Sequence, residues 1–266
     1  MTTVSQAVTP ERISPINTIQ HGLIATSRSL LRLRSNPAEI IGLTFQPLMF
    51  VALFVFVFGQ ALMGSWQDYR DFVLPGIIVQ MVAFATIGTG MTLFTDIDKG
   101  IFDRFRSLPI ARSAPLIGAV LGDLVRYVLS LVVILVVGFL IGFRPPGGVV
   151  GTLAGAGVVL IFALALCWIW VYLGLIAKTA MTLQMYAMTL MFPLTFGGST
   201  FVSPEQMPDW MAWFASVNPV TSVTDTVRGL MLGGPVAGPF AMTLLWSAAI
   251  AVVFFPLAVR AYVRRT

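Results

Sequence analysis

The chain has 266 residues, 57% of them hydrophobic and only 10% charged, with a formal net charge of +5. A soluble domain of this length needs a surface far richer in charge. With a mean hydropathy of +0.90 and several apolar runs near the roughly 20 residues that cross a bilayer as helix, this is the composition of an integral membrane protein.

Other classes fall away quickly. The only cysteine, Cys167, lies inside an apolar run, so an intrachain disulfide is impossible, and with one histidine, His21, no metal cluster is expected. Arginine outnumbers lysine fourteen to two beside heavy use of Ala, Gly and Val, which suggests a high-GC bacterial genome. The first strong apolar run begins near Ile40 and no A-x-A site follows it, so no cleavable signal peptide is expected.

Residues 1–15 are polar, carry two prolines and read as a loose tail. From Ile16 to Asn36 the pattern is amphipathic: Ile16, Ile19, Leu23, Leu30 and Leu31 favour one side, with Arg28 and Arg32 on the other. A basic amphipathic helix of this kind lies in the membrane interface and is drawn to anionic lipid; an ordinary solvated helix is the alternative. Pro37 ends this unit, 1–36, and opens a transmembrane domain over 37–266.

Six spans are expected, near Ile41–Met63, Phe72–Phe94, Leu116–Ile141, Val149–Ile176, Thr182–Val202 and Phe240–Tyr262. Each must be helical, because backbone groups in lipid have no water to bond, so the fold class is all-α. Arg12, Arg28, Arg32, Arg34, Lys99, Arg104, Arg106, Arg112, Lys178, Arg260, Arg264 and Arg265 fall on one side, against Arg70, Arg144 and Arg228 on the other. This asymmetry predicts that both termini are cytoplasmic. The basic charge is thus topology, and no nucleic-acid partner is implied. Glycine pairs four apart (Gly118/Gly122, Gly138/Gly142, Gly151/Gly155) let helices approach closely. No sequence repeat supports the inverted halves of secondary transporters.

Charge concentrates between the second and third spans, in "TDIDKGIFDRFRSLPIARSAPLIG". Ile97, Ile101, Phe105 and Leu108 follow a helical spacing, Asp103 and Arg106 stand three apart on the other side, and Pro109 stops the pattern. The spacing predicts a short amphipathic helix over 95–108 within a cytoplasmic segment 95–115. The residues alone leave open a solvated connector and a helix that docks its apolar stripe in a groove while mixed charges fix register.

In the third span Asp123 and Arg126 stand three apart, as a structural pair that limits the cost of burial. Met181, Met185, Met188 and Met191 recur along the fifth span, with Gln184 and Phe192, and the second span offers Gln80, Met81, Phe84, Thr89 and Met91. Methionine stripes suit promiscuous apolar surfaces; helix packing and lipid contact explain them equally. The outer loop, 203–239, holds Trp210, Trp213, Phe214 and Val217, a stretch suited to headgroup level. Asn218 then caps a helix with Pro219 at its first position and Gly233 or Gly234 at its end. At about 14 residues it is too short to span, so it lies on or dips into the outer leaflet. Asp225 and Arg228 pair at i,i+3, as a structural latch or a substrate contact.

"DIDKGIFDRFRSLPIARSAPLIGAVLGDLVR" resembles the cytoplasmic segment of bacterial ATP-binding cassette exporter permeases of the type-2 class. Asp98, Gly100, Arg104, Arg106, Leu108, Pro109 and Arg112 match, while Asp98 and Gly100-Ile101 stand where that family usually has Glu and Gly-Thr. "NPVTSVTDTVRGLMLGG" resembles the family's signature before its last span, with Asn218, Pro219, Asp225, Arg228, Gly229 and Gly233 in place. The short length and both motifs look most like the daunorubicin/doxorubicin-type drug exporter permeases of actinobacteria, in the plasma membrane.

The resemblance implies that Asp98, Gly100, Ile101, Arg104, Phe105, Arg106, Leu108, Pro109 and Arg112 form a coupling helix received by a separate cytoplasmic ATPase subunit. It implies a second permease copy or a related permease, a re-entrant outer loop, and an export path lined by spans two and five: Gln80, Phe84, Thr89, Gln184, Met185, Met188 and Phe192. The cargo is an amphipathic or lipophilic compound, with drug, antibiotic and lipid open. No cofactor is expected on this chain, and ATP and magnesium belong to the partner. "GLIAKT" at Gly174–Thr179 is no P-loop, since Ala177 fills its second glycine position. An intramembrane serine enzyme on "GGSTF" lacks the motif's last glycine and a nearby histidine. An ATP-independent secondary transporter or channel, lacking deep ionisable residues, is the remaining alternative.

Overall fold

The computed structural model describes residues 37–100 and 114–265. Among them every regular element is a helix: α1 (Pro37–Val51), a π-helical stretch (Ala52–Phe58), α2 (Gly59–Met63), α3 (Trp66–Asp98), α4 (Ala114–Leu140), α5 (Gly148–Ile176), α6 (Ala180–Phe196), a 3₁₀ turn (Pro204–Gln206), α7 (Asp209–Val217), α8 (Pro219–Leu232) and α9 (Ala237–Arg265). The expected interfacial helix over 16–36 lies outside the described residues.

Five helical stretches are long and apolar enough to cross a membrane: Thr44–Met63, Trp66–Asp98, Ala119–Leu140, Gly148–Ile176 and Ala237–Arg264. The fifth expected span, Thr182–Val202, is shorter than its apolar run. α6 has 17 residues, about 25 Å of helix, and stops at Gly197. There the chain crosses Phe214 so tightly that a Cβ on Gly197 would stand 2.7 Å from the Phe214 ring. Residues Gly198 to Val202 turn back onto α3: the Tyr69 hydroxyl donates to the Phe201 carbonyl at 3.0 Å, and Gly76 touches the Thr200 backbone.

α3 is the central pillar. Ser65 caps it, its Oγ accepting from the Asp68 N–H at 3.4 Å, and the helix runs 33 residues without losing its apolar character. It packs against α1, α4, α5, α6 and α8, which is why Val73, Ile77 and Val82 are fully enclosed. α3 and α5 cross where glycine meets glycine: a Cβ on Gly90 would lie 2.6 Å from the Trp170 carbonyl oxygen, and one on Gly174 2.7 Å from that of Gly90. Of the glycine pairs expected to pack, Gly151/Gly155 receives α8, whose Leu230 backbone and Val227 and Met231 side chains fill the space.

The short helix expected over 95–108 needs correction at its start. Thr95, Asp96, Ile97 and Asp98 are the last turn of α3. Gly100, at φ +68, ends it in the left-handed conformation that glycine adopts without strain, with its N–H donated to the Ile97 carbonyl. The apolar spacing of Ile97 continues that of the second span, so periodicity did not mark the break. Ile101, Arg104, Phe105, Arg106, Leu108, Pro109 and Arg112 lie outside the described residues.

Candidate functional site

Two regions carry most of the described candidate residues: the hairpin α7–α8, and the lateral face made by α1, the π stretch and α6. The hairpin follows from local sequence. Pro208 precedes α7, Asn218 ends it, and Asn218 also caps α8, its Oδ1 accepting from the Val220 N–H at 2.8 Å. The same side chain donates through Nδ2 to the Leu194 carbonyl near the end of α6 (2.8 Å). Asn218 is only 2% exposed, so the hairpin vertex is inside the protein. From there α8 climbs back along α5, reaching the turn after α4, where Gly147 donates its N–H to the Met231 carbonyl at 2.8 Å.

Asp225 and Arg228 face the Gly198–Thr200 turn. Asp225 Oδ1 accepts from Arg228 Nη1 at 2.8 Å and from the Ser199 hydroxyl at 2.7 Å. Arg228 Nη2 donates to the Ser199 carbonyl (2.9 Å), its Nε to the Phe72 carbonyl (3.3 Å), and its guanidinium stacks 4.1 Å above the Phe72 ring. One side chain thus ties α8 to α3 and to the α6–α7 connection. Thr221 Oγ1 completes the set by accepting from the Ser199 N–H. Gly229 leaves room for the return of the chain, since a Cβ would meet Val236 at 3.0 Å and the Pro235 carbonyl at 3.2 Å. Pro219 is buried at the first turn of α8.

The lateral face is apolar and open. On α6, Leu183, Ala187, Met191 and Thr195 form the buried stripe, which leaves Gln184, Met185, Met188 and Phe192 on the opposite, exposed side. Met181 is 75% and Met185 62% exposed. Beside them Phe45, Met49, Leu53, Phe56 and Val57 project from α1 and the π stretch. Stacked rings join the two: Phe54 on Phe201 (4.0 Å), Phe201 beside Phe196 (5.3 Å) and Phe196 on Phe192 (4.5 Å). A surface of this kind in lipid needs no charge and offers shape and polarisability instead.

Residues of the second span fall elsewhere. Thr89 is fully buried, with its hydroxyl hydrogen-bonded to that of Tyr127 on α4. Gln80 is also fully buried, and neither its amide nitrogen nor its oxygen has a hydrogen-bond partner. Phe84 is half-buried against the core. The structure brings Gln184, Met185, Met188 and Phe192 together and holds Gln80 and Thr89 inside the protomer, apart from them. Asp123 and Arg126 face each other at 3.7 Å on α4, with the guanidinium pressed on Gly88 of α3.

Sequence reasoning missed Ser199, the Phe54–Phe201 stack and the bond from Trp170 Nε1 to Thr86 Oγ1 at 2.8 Å. For Ser199 a signal existed: "GGST" is a turn, and a hydroxyl beside two glycines serves a partner brought from afar. The sequence profile of the ABC-2 type transporter family matches residues 21–232. The chain belongs to that family. Similar curated proteins include the daunorubicin resistance ABC transporter permease protein DrrB1 of Streptomyces coeruleorubidus, 37% identical over 88% of this chain and 83% of its own. The Mycobacterium tuberculosis protein named "Probable doxorubicin resistance ABC transporter permease protein DrrC" is 29% identical over 89% of this chain and 86% of its own. DrrB of the same species, a doxorubicin resistance permease protein, is 32% identical over 40% of this chain and 39% of its own. The ABC-2 assignment accounts for the architecture: this is the multi-pass permease component of an ABC transporter.

Proposed function

We propose that this ABC-2 permease exports an amphipathic or lipophilic compound when paired with a second permease and driven by a separate cytoplasmic ATPase. The observation that supports the reading is the uncharged, uncovered side of α6, with Met185, Met188 and Phe192 exposed. In this reading that side is half of an interface. Two such faces, from two copies or from this chain and a related permease, enclose a path that one chain cannot. Methionine and phenylalanine linings adapt to varied apolar cargo, and the relatives named for daunorubicin and doxorubicin resistance make drug-like cargo the first class to try.

The ATPase docks on the 95–115 segment, whose Asp98 and Gly100 close α3 while its remaining motif residues follow. ATP and magnesium reside on that partner. Closure of the ATPase pair moves the end of α3, and because α3 packs along α8 the motion reaches α8 through Phe72 and Arg228. The Asp225–Arg228 pair acts as a latch holding the outer hairpin. Residues 37–266 form one transmembrane domain with both termini cytoplasmic, and 1–36 lies along the inner membrane surface.

Inside-out vesicles carrying this chain and its ATPase test the proposal. ATP drives daunorubicin uptake into them, and Met188→Asp, which puts a charge on the proposed path, abolishes it while leaving membrane insertion intact. Uptake that runs equally without ATP contradicts the proposal and favours an ATP-independent transporter.

A further inference from the structure

The C-terminal ends of α5 and α9 flank an open recess of about 530 Å³, lined by Tyr172, Leu175, Ile176, Lys178, Leu257, Ala261 and the guanidinium-bearing Arg260 and Arg264. Three cations converge on it, Arg260 and Arg264 from α9 and Lys178 from the α5–α6 connection, and no carboxylate stands among its walls. Lys178, Arg260 and Arg264 make no ion pair or side-chain hydrogen bond among the described residues. Elsewhere in the described chain arginines are engaged: Arg70 with Asp71, Arg126 with Asp123, Arg228 with Asp225. Three like charges around one recess give it a positive potential that favours an anion.

The walls below the cations say what kind of anion. Toward the membrane, the seam between α5 and α9 is filled by aromatic pairs one turn apart, Tyr172 with Phe254 (6.0 Å) and Trp168 edge-on to Phe255 (4.8 Å). The recess itself has apolar walls, Leu175, Ile176 and Leu257, beside the charged rim. A soluble anion has no use for those walls; a phospholipid has, since its phosphate takes the cations and its acyl chains lie against them. We propose that the α5–α9 cleft is a binding site for one anionic phospholipid, with Lys178, Arg260 and Arg264 on the phosphate and Leu257 and Ile176 against the acyl chains. The recess adjoins the start of α6 through Lys178 but is lined by none of the exposed residues of the α1–α6 face.

The test is native mass spectrometry of the full chain in detergent, titrated in parallel with phosphatidylglycerol, phosphatidylcholine and inorganic phosphate. Wild type holds phosphatidylglycerol about tenfold more tightly than phosphatidylcholine, and millimolar phosphate does not compete. Lys178→Gln/Arg260→Gln/Arg264→Gln removes the preference. Ala261→Trp, which fills the cavity with all three charges kept, removes it too and carries the test if the triple variant fails to insert. Equal retention of the two lipids by wild type overturns the site. So does a preference that survives both variants, displacement of lipid by phosphate alone, or loss of the ATPase subunit from the triple variant with lipid binding unchanged, which makes the cations a protein-docking surface.

Discussion

Arg228 donates to the Asp225 carboxylate on its own helix and to two carbonyls on two other segments, and stacks on a ring of one of them. Removing such a charge leaves a partly buried carboxylate without its counter-charge, held only by the Ser199 hydroxyl, and takes a donor from two backbone carbonyls. Arg228→Gln is therefore expected to cost about 3 kcal/mol, read as a lowered thermal midpoint in detergent. Asp225→Asn keeps an acceptor for Ser199 and for Arg228, and its loss is smaller; equal losses would mean that the pair matters as charge alone. Gln80 is the opposite case. Its amide is buried with neither atom bonded, at a cost that a leucine of similar size avoids, so Gln80→Leu raises the midpoint by about 1–2 kcal/mol of stability. If Gln80 meets water or cargo in another conformation of the transport cycle, the same change slows export. A stabler and fully active Q80L protein would remove Gln80 from the transport path.

At the scale of elements, how far the chain was readable depended on whether a signal was local. The outer helix was legible residue by residue, because Asn218, Pro219 and Gly233 are boundary residues whose chemistry acts within one turn. The end of the fifth span was less so: Thr182–Val202 carries no charge, and the break rests on Gly197-Gly198, where the ring of Phe214, from a later helix, leaves no room for a Cβ on Gly197. Likewise the π stretch at Ala52–Phe58 looks like any apolar helix in sequence. The glycine contact of α3 with α5 was invisible for a related reason. Gly90 and Gly174 stand alone on different spans, so no four-residue spacing announces them. Gly90→Ala or Gly174→Ala forces a Cβ into backbone and costs about 1–3 kcal/mol, whereas Gly157→Ala, with nothing within 4 Å of its Cβ, is neutral or stabilising. Accumulation in the membrane fraction and thermal midpoints check the ordering.

For the whole molecule, the proposal of a paired permease makes a geometric claim. Cys167 is fully buried, so a cysteine introduced at the surface reports alone. Phe192→Cys is expected to form oxidant-dependent cross-linked pairs in membranes, and Val252→Cys on α9 is not. The span pattern and the family motifs told which protein class this is. They could not tell that Gln80 and Thr89 turn inward while Met185 and Met188 turn outward, because burial inside a membrane protein does not follow polarity: lipid-facing and protein-facing residues are both apolar. The segment 95–115 stands out in sequence as an anomaly of charge, and the proposal that work done by another chain enters the permease rests on it. The most direct measurement is purification of the tagged protein from its native membranes beside a variant with Asp98, Arg104 and Arg106 reversed in charge, followed by mass spectrometry. An ATPase subunit that accompanies the wild type and is lost from the variant is the predicted result. An ATPase retained equally by both would contradict docking on this segment, and absence of any ATPase from both would contradict ATP-driven export.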